Sequence, residues 1–422
     1  MNHTNCTSPL SAGAKALPDG VQAFAHTQAM WRFLANPRVS PKELAVPLLK
    51  AAHEAVAEQV GESVLCIHDW SRLNYRCHEA KQDRLQMTHK NDVGYELQSS
   101  LLVSAADGAP LAVPAQNLVT AQGLWRCRDE TISAGGQTHL DELSERMDWL
   151  EAQQFGKRLV HIIDREADSA AHMRRWSAQG QHWLVRVKAG SSVQFGKRSM
   201  SVKEVAKQLT FREARQVQCK GQPAIQWIAS APVVLTRKAK PTRCAPSGRR
   251  VAPIAGEPLA LRMVVSRLYD VQGRLVAEWY LLSALPETVS DAQIALWYYF
   301  RWQIESFFKL LKQAGHHLED WEQESGRAIF KRLLIASHAC LLVWRLAREH
   351  GEAAEQSRAF LVRLSGRQMK ASRPITMPAL LDGAFKLFAM LEALQHYSPA
   401  ELRGFADSIL HGARSEKGKH HV

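Results

Sequence analysis

The chain has 422 residues, and 46% of them are hydrophobic, which is enough for a large core and suggests two or three domains. Lysine and arginine number 54 against 41 acidic residues, a formal net charge of +13; this surplus favours a nucleic-acid partner, although a merely basic surface explains it equally well. The 7 cysteines are scattered without a CxxC pair, which excludes a readable disulfide framework or zinc finger and favours reduced thiols, as in the cytoplasm.

The first 60 residues are predicted to contain short helices. Residues 1–25 are polar, lack the layout of a signal peptide and are expected to be loose. Pro37 and Pro41 then separate short segments, and residues 45–57 have the apolar spacing of a helix. We therefore predict a helical N-terminal region over residues 1–60.

Two short apolar runs that each lead to an aspartate mark the next part of the chain. Residues 64–67 lead to Asp69, and residues 159–163 lead to Asp164. Each run has the length and composition of a central strand that is covered on both faces of a sheet. Further strands are predicted at 94–104, 111–119 and 183–187, and helices at 141–155 and 165–176.

A β-rich insertion is predicted over residues 189–278, because this segment is rich in β-branched residues, turns and charge. It carries a basic loop, residues 237–250, for which a solvated surface and a contact with DNA are equally good explanations. A strand is predicted to follow at 279–283, and a long helix at 292–314.

The rest of the chain is predicted to be helical. Residues 326–350 form one helix, whose apolar middle is interrupted by Lys331, Arg332 and Arg345. It is therefore expected to be buried in protein rather than in a membrane. The helices that follow end in a basic tail, residues 417–421.

The long helix at 292–314 carries a carboxylate among cations and a phenol. At about 100° per residue, five side chains share one narrow face while the large apolar residues point the opposite way. The five are Tyr298, Arg301, Glu305, Lys309 and Lys312. A solvated face with i, i+4 ion pairs is the simpler explanation for such a helix alone, but the two upstream strands that lead to aspartates favour a functional site.

Carboxylates gathered at strand ends suit magnesium, which binds one or two carboxylates together with phosphate oxygens of a substrate. Asp69, Asp164 and Glu305 are therefore the candidate catalytic residues and metal ligands. Two such ions about 3.5–4 Å apart can activate a water and stabilise the leaving oxygen in phosphodiester chemistry.

Other polar residues near the two aspartates are expected to be structural. The strand histidines His68 and His161 are predicted to be hydrogen-bonded core residues outside the catalytic site. Glu166 and Asp168 follow Asp164 closely and are predicted to lie at a helix N-terminus, where the helix dipole favours acidic side chains.

A spaced set of four residues in the long helix resembles the Y-R-E-K signature of transposases of the insertion-sequence-four family. The four are Tyr298, Arg301, Glu305 and Lys312. Residues 164–168, with the sequence Asp-Arg-Glu-Ala-Asp, are similar to the second-aspartate motif of that family. Asp69 lies where the family has its first aspartate, and Ser71 and Tyr75 follow it. The resemblance covers roughly residues 27–350.

The resemblance implies a ribonuclease H-like catalytic domain, an α/β fold in which three strands, a helix, a strand, a helix and a strand precede the glutamate helix. The elements predicted above follow the same order. The implied parts are a short DNA-binding region at 1–60, a catalytic domain at 61–188 and 279–325, a β-rich insertion at 189–278, and a helical C-terminal region for dimerisation at 326–422.

The resemblance also implies a role for each candidate residue. Asp69, Asp164 and Glu305 would bind two Mg²⁺ or Mn²⁺ ions. Phosphates of DNA would be bound by four side chains of the long helix: Tyr298, Arg301, Lys309 and Lys312. Trp279 would stack on a base turned out of the duplex, and Arg186 would contact the transposon end. A core position for Trp279 and an ion pair with a carboxylate for Arg186 are the competing interpretations.

We therefore predict a DDE transposase that cuts double-stranded DNA at transposon ends and joins the freed ends to target DNA. The resemblance implies a homodimer that acts in the cytoplasm, at the nucleoid, without a membrane. Two alternatives stay open. A metal-dependent nuclease or resolvase of the same fold would share the three carboxylates but not the full signature. A transposase remnant that binds DNA without catalysis is disfavoured by the intact carboxylates.

Overall fold

The computed structural model describes residues 20–130, 132, 138–219, 221–240, 251–367 and 375–416. These residues form two compact units. The helical unit takes its described residues from Met1–Ser40, His78–Gln82 and Lys309–Val422, and the sheet unit takes them from Pro41–Cys77 and Asp83–Phe308. Residues 1–19, residues 241–250 of the basic loop and the basic tail lie outside the described residues. The segment predicted to be loose, residues 1–25, reaches into the helix Gly20–Ala35, so the prediction is wrong for residues 20–25.

A sheet of 13 strands dominates the sheet unit. The strands are β1 Ser63–Asn74, β2 Leu85–Gln86, β3 Val93–Ser104, β4 Pro110–Thr120, β5 Gly123–Arg126, β6 Arg158–Ile163, β7 His182–Val187, β8 Ser192–Phe195, β9 Arg198–Ser201, β10 Arg212–Cys219, β11 Gln222–Leu235, β12 Leu259–Asp270 and β13 Leu275–Ser283. Their order is β5-β4-β3-β1-β6-β7-β13-β12-β11-β8-β9, and β10 pairs with β11 and β2 with β3. The mixed α/β class predicted from the sequence is therefore confirmed.

The two apolar runs predicted as central strands lie at the middle of this sheet. β1 and β6 pair in parallel, from Ser63 opposite Arg158 to His68 opposite Ile163, and β6 pairs in parallel with β7. Parallel strands covered on both faces are continuously apolar, which is why these runs were recognisable. β1 extends beyond the predicted run to Asn74, because its antiparallel pairing with β3 continues after its pairing with β6 has ended.

The helices that begin in the sheet unit are α1 Pro41–Ala57, α2 His139–Glu151, α3 Ala170–Ala178, α4 Val202–Lys207, α5 Asp291–Tyr299 and α6 Trp302–Lys309. Thr138 fixes the start of α2 through a capping box with Asp141, which satisfies backbone N–H groups at the helix N-terminus. The segment 189–278 is β-rich, as predicted, although it also contains α4, and its strands extend the central sheet through β13.

The helix predicted at 165–176 is split into a 3₁₀ turn, Arg165–Ala167, and α3. Asp168 was predicted to lie at a helix N-terminus; instead it ends the 3₁₀ turn, and its carboxylate accepts hydrogen bonds from the Lys188 N–H, the Ser191 hydroxyl and Arg237. Asp168 therefore joins this turn to the end of β7 and to the basic loop.

The helix predicted at 292–314 is also interrupted. α5 ends at Tyr299, α6 begins at Trp302, and Leu310–Ala314 forms a π-helical turn. The uniform turn of 100° per residue, from which five side chains were predicted to share one face, therefore does not extend from Tyr298 to Lys312. That part of the prediction is wrong, because it assumed a single regular α-helix.

The helical unit contains α7 Gly20–Ala35, α8 Gly326–Arg348, α9 Glu352–Ser365, α10 Met377–His396 and α11 Pro399–Glu416, where α7 comes first in the chain. The charges inside α8 have partners within the unit: Lys331 Nζ donates to the carbonyls of Leu34 and Asn36 at 3.0 and 2.6 Å, and Arg332 bonds Gln323. These bonds explain how an apolar helix accommodates cations. Within the described ranges, no helix is long and apolar enough to cross a membrane.

Candidate active site

Asp69 and Asp164 lie side by side where the parallel pairing of the two central strands ends. The last parallel pair is His68 with Ile163, and each aspartate follows a member of this pair in the chain: Asp69 is still within β1, and Asp164 comes directly after β6. Because side chains alternate between the two faces of a strand, both aspartates lie on the same face of the sheet as the Ile67–Ile162 pair. Asp69 is therefore inside β1, not at its end as predicted, but it still neighbours Asp164.

Arg301 joins these aspartates to Glu305 from the break between α5 and α6. Its Nη1 is 2.9 Å from Asp69 Oδ2, and its Nη2 is 2.5 Å from Glu305 Oε1 and 3.6 Å from Asp164 Oδ2. The three carboxylates therefore surround one guanidinium. The Arg301 side chain is only 8% exposed, whereas the carboxylate side chains are 22 to 39% exposed, so the group is shielded but open on the carboxylate side.

Asp164 receives three further polar contacts. Tyr298 donates its hydroxyl to Oδ1 at 3.1 Å, Arg186 Nη1 lies 3.3 Å from the same oxygen, and the Arg165 N–H donates to it at 2.6 Å. These donors come from three segments: Arg186 from β7, Tyr298 from α5, and the Arg165 N–H from the 3₁₀ turn that follows β6. Asp164 is thus the most heavily hydrogen-bonded carboxylate of the three.

The two aspartates respond in opposite directions to this environment. Burial raises the pKa of Asp69 to about 6, although Arg301 and the Trp70 N–H oppose the change. Burial also acts to raise the pKa of Asp164, but Arg301, the Arg165 N–H and Arg186 outweigh it, so that pKa is lowered. A raised and a lowered pKa in adjacent acids are typical of a crowded anionic site. Of the two aspartates, Asp69 is the one whose ionised form is disfavoured by its surroundings.

The other predicted DNA-binding residues are dispersed. Trp279 on β13 is 6% exposed and packs edge to face against Tyr298, with ring centroids 5.3 Å apart. Lys309, at the end of α6, is exposed. Lys312 belongs to the helical unit, where its Nζ lies 3.1 Å from Glu319 Oε1.

An i, i+4 ion pair of Arg301 with Glu305 was the competing interpretation of the long helix, and the structure contains it. For Arg186 the competing interpretation was an ion pair with a carboxylate, and the structure contains that pair as well. Sequence reasoning missed the contacts of Arg301 with Asp69 and Asp164, because they join segments that are far apart in the sequence.

The donor set fits a hard divalent cation. Three carboxylates from separate segments offer only oxygen ligands, which Mg²⁺ and Mn²⁺ prefer. Burial raises the pKa of Asp69 by more than Arg301 lowers it, and the neighbouring carboxylates add to the rise. Asp69, Asp164 and Glu305 could therefore hold such an ion.

The comparison with protein families identifies the family of the chain. A family model described as the transposase DDE domain matches residues 128–342, just over half of the chain. The chain therefore belongs to the DDE transposase family, whose members cut and transfer nucleic acid and generally use divalent metals. The matched segment contains Asp164 and Glu305 and begins after Asp69. No curated protein sequence matches the chain.

Among solved structures, the chain is similar to the piggyBac transposase in a cryo-EM structure of its synaptic complex with hairpin DNA. The two sequences are 11% identical, and the alignment has a TM-score of 0.32 and covers 89% of this chain and 64% of that chain. The chain thus spans less than two thirds of that transposase. A likeness at this level supports no conclusion about fold or activity.

Proposed function

We propose that the chain is a cut-and-paste DNA transposase of the insertion-sequence-four type, with Asp69, Asp164 and Glu305 as its catalytic metal ligands. One observation carries this proposal: three carboxylates far apart in the sequence surround the guanidinium of Arg301. The family supports the transposase function. The Y-R-E-K spacing of the sequence favours this type over the nuclease and resolvase alternatives.

The proposed reaction is in-line attack on a phosphodiester at the transposon end, followed by attack of the freed 3′ hydroxyl on target DNA. Bound Mg²⁺ or Mn²⁺ ions, two in this proposal, would supply charge neutralisation and an activated water. The three carboxylates would hold these ions, and the surrounding side chains would orient the phosphate. Such catalysis depends mainly on positioning and electrostatic stabilisation.

Arg301, Tyr298 and Arg186 are proposed to contact the phosphates of the cleaved end, because each already lies within hydrogen-bonding or ion-pairing distance of a catalytic carboxylate. A phosphate held next to these carboxylates would be within reach of the same donors. Lys309 and Lys312 are proposed to bind phosphates further along the DNA. For Lys312 this requires an exchange of Glu319 for a phosphate.

Trp279 is proposed to stack on a base turned out of the duplex. In the DNA-free chain it is buried against Tyr298, so stacking requires the indole to leave this packing. The stacking energy of a base on an aromatic ring, about 1–3 kcal/mol, is available to offset that loss.

The arrangement of the whole chain is proposed to follow the same family. Three long strands (β1, β3 and β4, with the short β2 and β5 beside them), then α2, β6, α3 and β7, come before α5 and α6, and this order supports a ribonuclease H-like catalytic domain at 61–188 and 279–325. Residues 1–60 and the insertion at 189–278 are proposed to bind DNA, and residues 326–422 to mediate a homodimer. The partner is double-stranded DNA, and the site of action is the cytoplasm, at the nucleoid.

The proposal is tested by measuring cleavage by Glu305→Ala of a duplex that carries the terminal inverted repeat, which is first identified by sequencing the DNA that flanks the gene. Loss of a metal ligand is expected to lower Mg²⁺-dependent cleavage more than about 100-fold, while DNA binding is retained. Glu287→Ala is the matched control, since Glu287 is an exposed acid outside the site. Undiminished cleavage by Glu305→Ala would remove Glu305 from the active site.

A second assay separates the transposase from the alternatives. A transposase inserts a pre-cut end with a free 3′ hydroxyl into a plasmid, whereas a nuclease or resolvase only cuts. An inactive remnant binds the end without either reaction.

A further inference from the structure

A second group of side chains of the types that bind metals lies in the two central strands. We call Cys66, His68 and His161 the Cys–His cluster. Cys66 and His161 are partners in the parallel pairing of β1 and β6, and His68 lies two residues after Cys66 on the same face. The potential ligand atoms of the three residues lie within 4.8 Å of one another. All three side chains are buried.

Both histidines are held by a polar group on the outer side of the ring. Ser100 Oγ lies 2.9 Å from His68 Nδ1, and Glu151 Oε1 lies 3.1 Å from His161 Nε2. The inner nitrogens, His68 Nε2 and His161 Nδ1, therefore face each other at 2.8 Å. Metal-binding histidines usually have this arrangement, in which the second ring nitrogen bonds a carboxylate, a hydroxyl or a carbonyl.

We propose that the Cys–His cluster is a binding site for a soft or borderline divalent metal, Zn²⁺ or a similar ion, with Cys66 Sγ, His68 Nε2 and His161 Nδ1 as ligands. One thiolate and two imidazoles select zinc over magnesium. A tetrahedral zinc separates two nitrogen ligands by about 3.3 Å and a nitrogen and a sulfur by about 3.6 Å. In the structure the two nitrogens are 2.8 Å apart, and all three ligand atoms lie within 4.8 Å of one another. The ligand atoms would therefore have to move by only about 1 Å or less to reach the distances of a zinc site.

The Cys–His cluster is separate from the carboxylate site. Asp69 and Asp164 lie on the face of the sheet that carries Ile67 and Ile162, and the cluster lies on the other face. The two sites also differ in chemistry, since one offers only carboxylate oxygens and the other offers sulfur and nitrogen. Their metal occupancies can therefore be measured independently.

A cavity lies beside the cluster, on the outer side of the residue that bonds His161. Glu151, at the end of α2, lines a cavity of about 490 Å³ together with Phe155, Lys157 and Leu159. The Glu151 side chain is 37% exposed and contacts the otherwise buried His161.

Metal binding would be accompanied by loss of the thiol proton. Burial raises the pKa of Cys66, although the nearby Arg146 acts to lower it. Cys66 therefore carries its proton in the metal-free chain, and a bound ion would displace that proton to solvent. The thiolate and the two neutral imidazoles would then join β1, which carries Asp69, to β6, which leads to Asp164, on the opposite face of the sheet from the two aspartates.

The test uses the full chain, stripped of metal with a chelator and titrated with Co²⁺ in excess Mg²⁺. We expect one equivalent to bind with the near-ultraviolet charge-transfer band of a cobalt–thiolate bond and the visible bands of tetrahedral cobalt. Zn²⁺ should bleach this spectrum and raise the melting temperature by about 2 °C or more. Octahedral cobalt on carboxylates gives neither the thiolate band nor strong visible bands, so the wild-type spectrum alone is decisive.

Variants assign the ligands. Cys66→Ser is expected to remove the thiolate band, and His161→Gln to weaken Co²⁺ binding more than about 10-fold. Cys127→Ser is the matched control, because Cys127 is also a free and buried cysteine of the sheet unit, and it should leave the spectrum unchanged. Glu305→Ala should also leave it unchanged. Absence of the thiolate band in the wild type, or its persistence in Cys66→Ser, would overturn the proposal.

Discussion

Replacing Asp69 by asparagine should stabilise the metal-free chain at neutral pH. Asparagine has nearly the shape of a protonated aspartic acid and carries no charge. The pKa of Asp69 is raised from 3.8 to about 6 by burial and by its carboxylate neighbours, against the effect of Arg301. The folded state therefore disfavours the ionised form, and removing the charge removes that cost. Asp69→Asn should correspondingly be inactive in DNA cleavage.

The magnitude follows from the pKa difference. A change of about two pKa units corresponds to about 3 kcal/mol, and the Asp69 side chain is only 22% exposed, so little of this is lost to solvent screening. Asparagine makes a weaker bond to Arg301 than a carboxylate does. We therefore expect Asp69→Asn to be more stable than the wild type by about 1–3 kcal/mol at pH 7.5.

The gain should depend on pH in a defined direction. The pKa of Asp69 is higher in the folded chain than in the unfolded chain. Protonation of Asp69 therefore stabilises the folded chain at low pH, and this stabilisation is lost as the pH rises from about 4 through about 6. At pH 4 the wild-type residue is largely protonated in the folded chain, so the two proteins should be nearly equal in stability. Urea unfolding at both pH values, with a chelator present, measures the difference.

Asp164→Asn is the matched comparison and should have the opposite sign. The pKa of Asp164 is lowered, since Arg301, the Arg165 N–H and Arg186 outweigh burial, so its charge stabilises the folded chain above its unfolded pKa. That variant should be less stable than the wild type at pH 7.5. If Asp69→Asn gives no gain at pH 7.5, or a gain that persists unchanged at pH 4, the electrostatic account of the site is wrong.

Three further substitutions test the surroundings of the site and the packing of the helical unit. Tyr298→Phe removes the hydroxyl that donates to Asp164 and should lower DNA cleavage about 10-fold while changing the free energy of unfolding by about 1 kcal/mol; unchanged cleavage would exclude the phenol from the site. Gly108→Ala adds a methyl group at a φ of +77° and against the Phe300 ring, next to the helix break, and should cost about 1–3 kcal/mol in urea unfolding and reduce cleavage. Gly383→Ala would overlap the Leu361 backbone and should lower the melting temperature without changing the pH dependence of Asp69→Asn; a wild-type melting temperature would contradict the packing of α9 against α10.

The central strands were predictable because their chemistry is local. A parallel strand covered on both faces is almost continuously apolar, and residues 64–67 and 159–163 show this directly, with His161 as the exception. The pairing of these strands then places the two aspartates together. The β-rich character of 189–278 and the helix at 326–350 were visible for similar reasons, since both depend on composition and spacing within one segment.

The features that the sequence did not reveal depend on contacts between distant segments. Residues 300–301 contain neither proline nor glycine, so local rules predict a continuous helix there; the break accompanies the contacts of Arg301 with three carboxylates. Asp168 similarly binds donors from residues 188, 191 and 237. The Cys–His cluster requires the register of β1 and β6, which spacing along the chain cannot supply.

The continuity of the sheet has a mechanical consequence. β12 and β13 carry the hydrogen bonding of the central strands outward to β11, and β13 pairs directly with β7 through Leu281 opposite Arg186. A domain connected by a flexible linker could move without disturbing the central strands. Here the outer strands are joined to the central strands by successive ladders of backbone hydrogen bonds. A displacement of the outer strands would therefore displace Arg186, which pairs with Asp164.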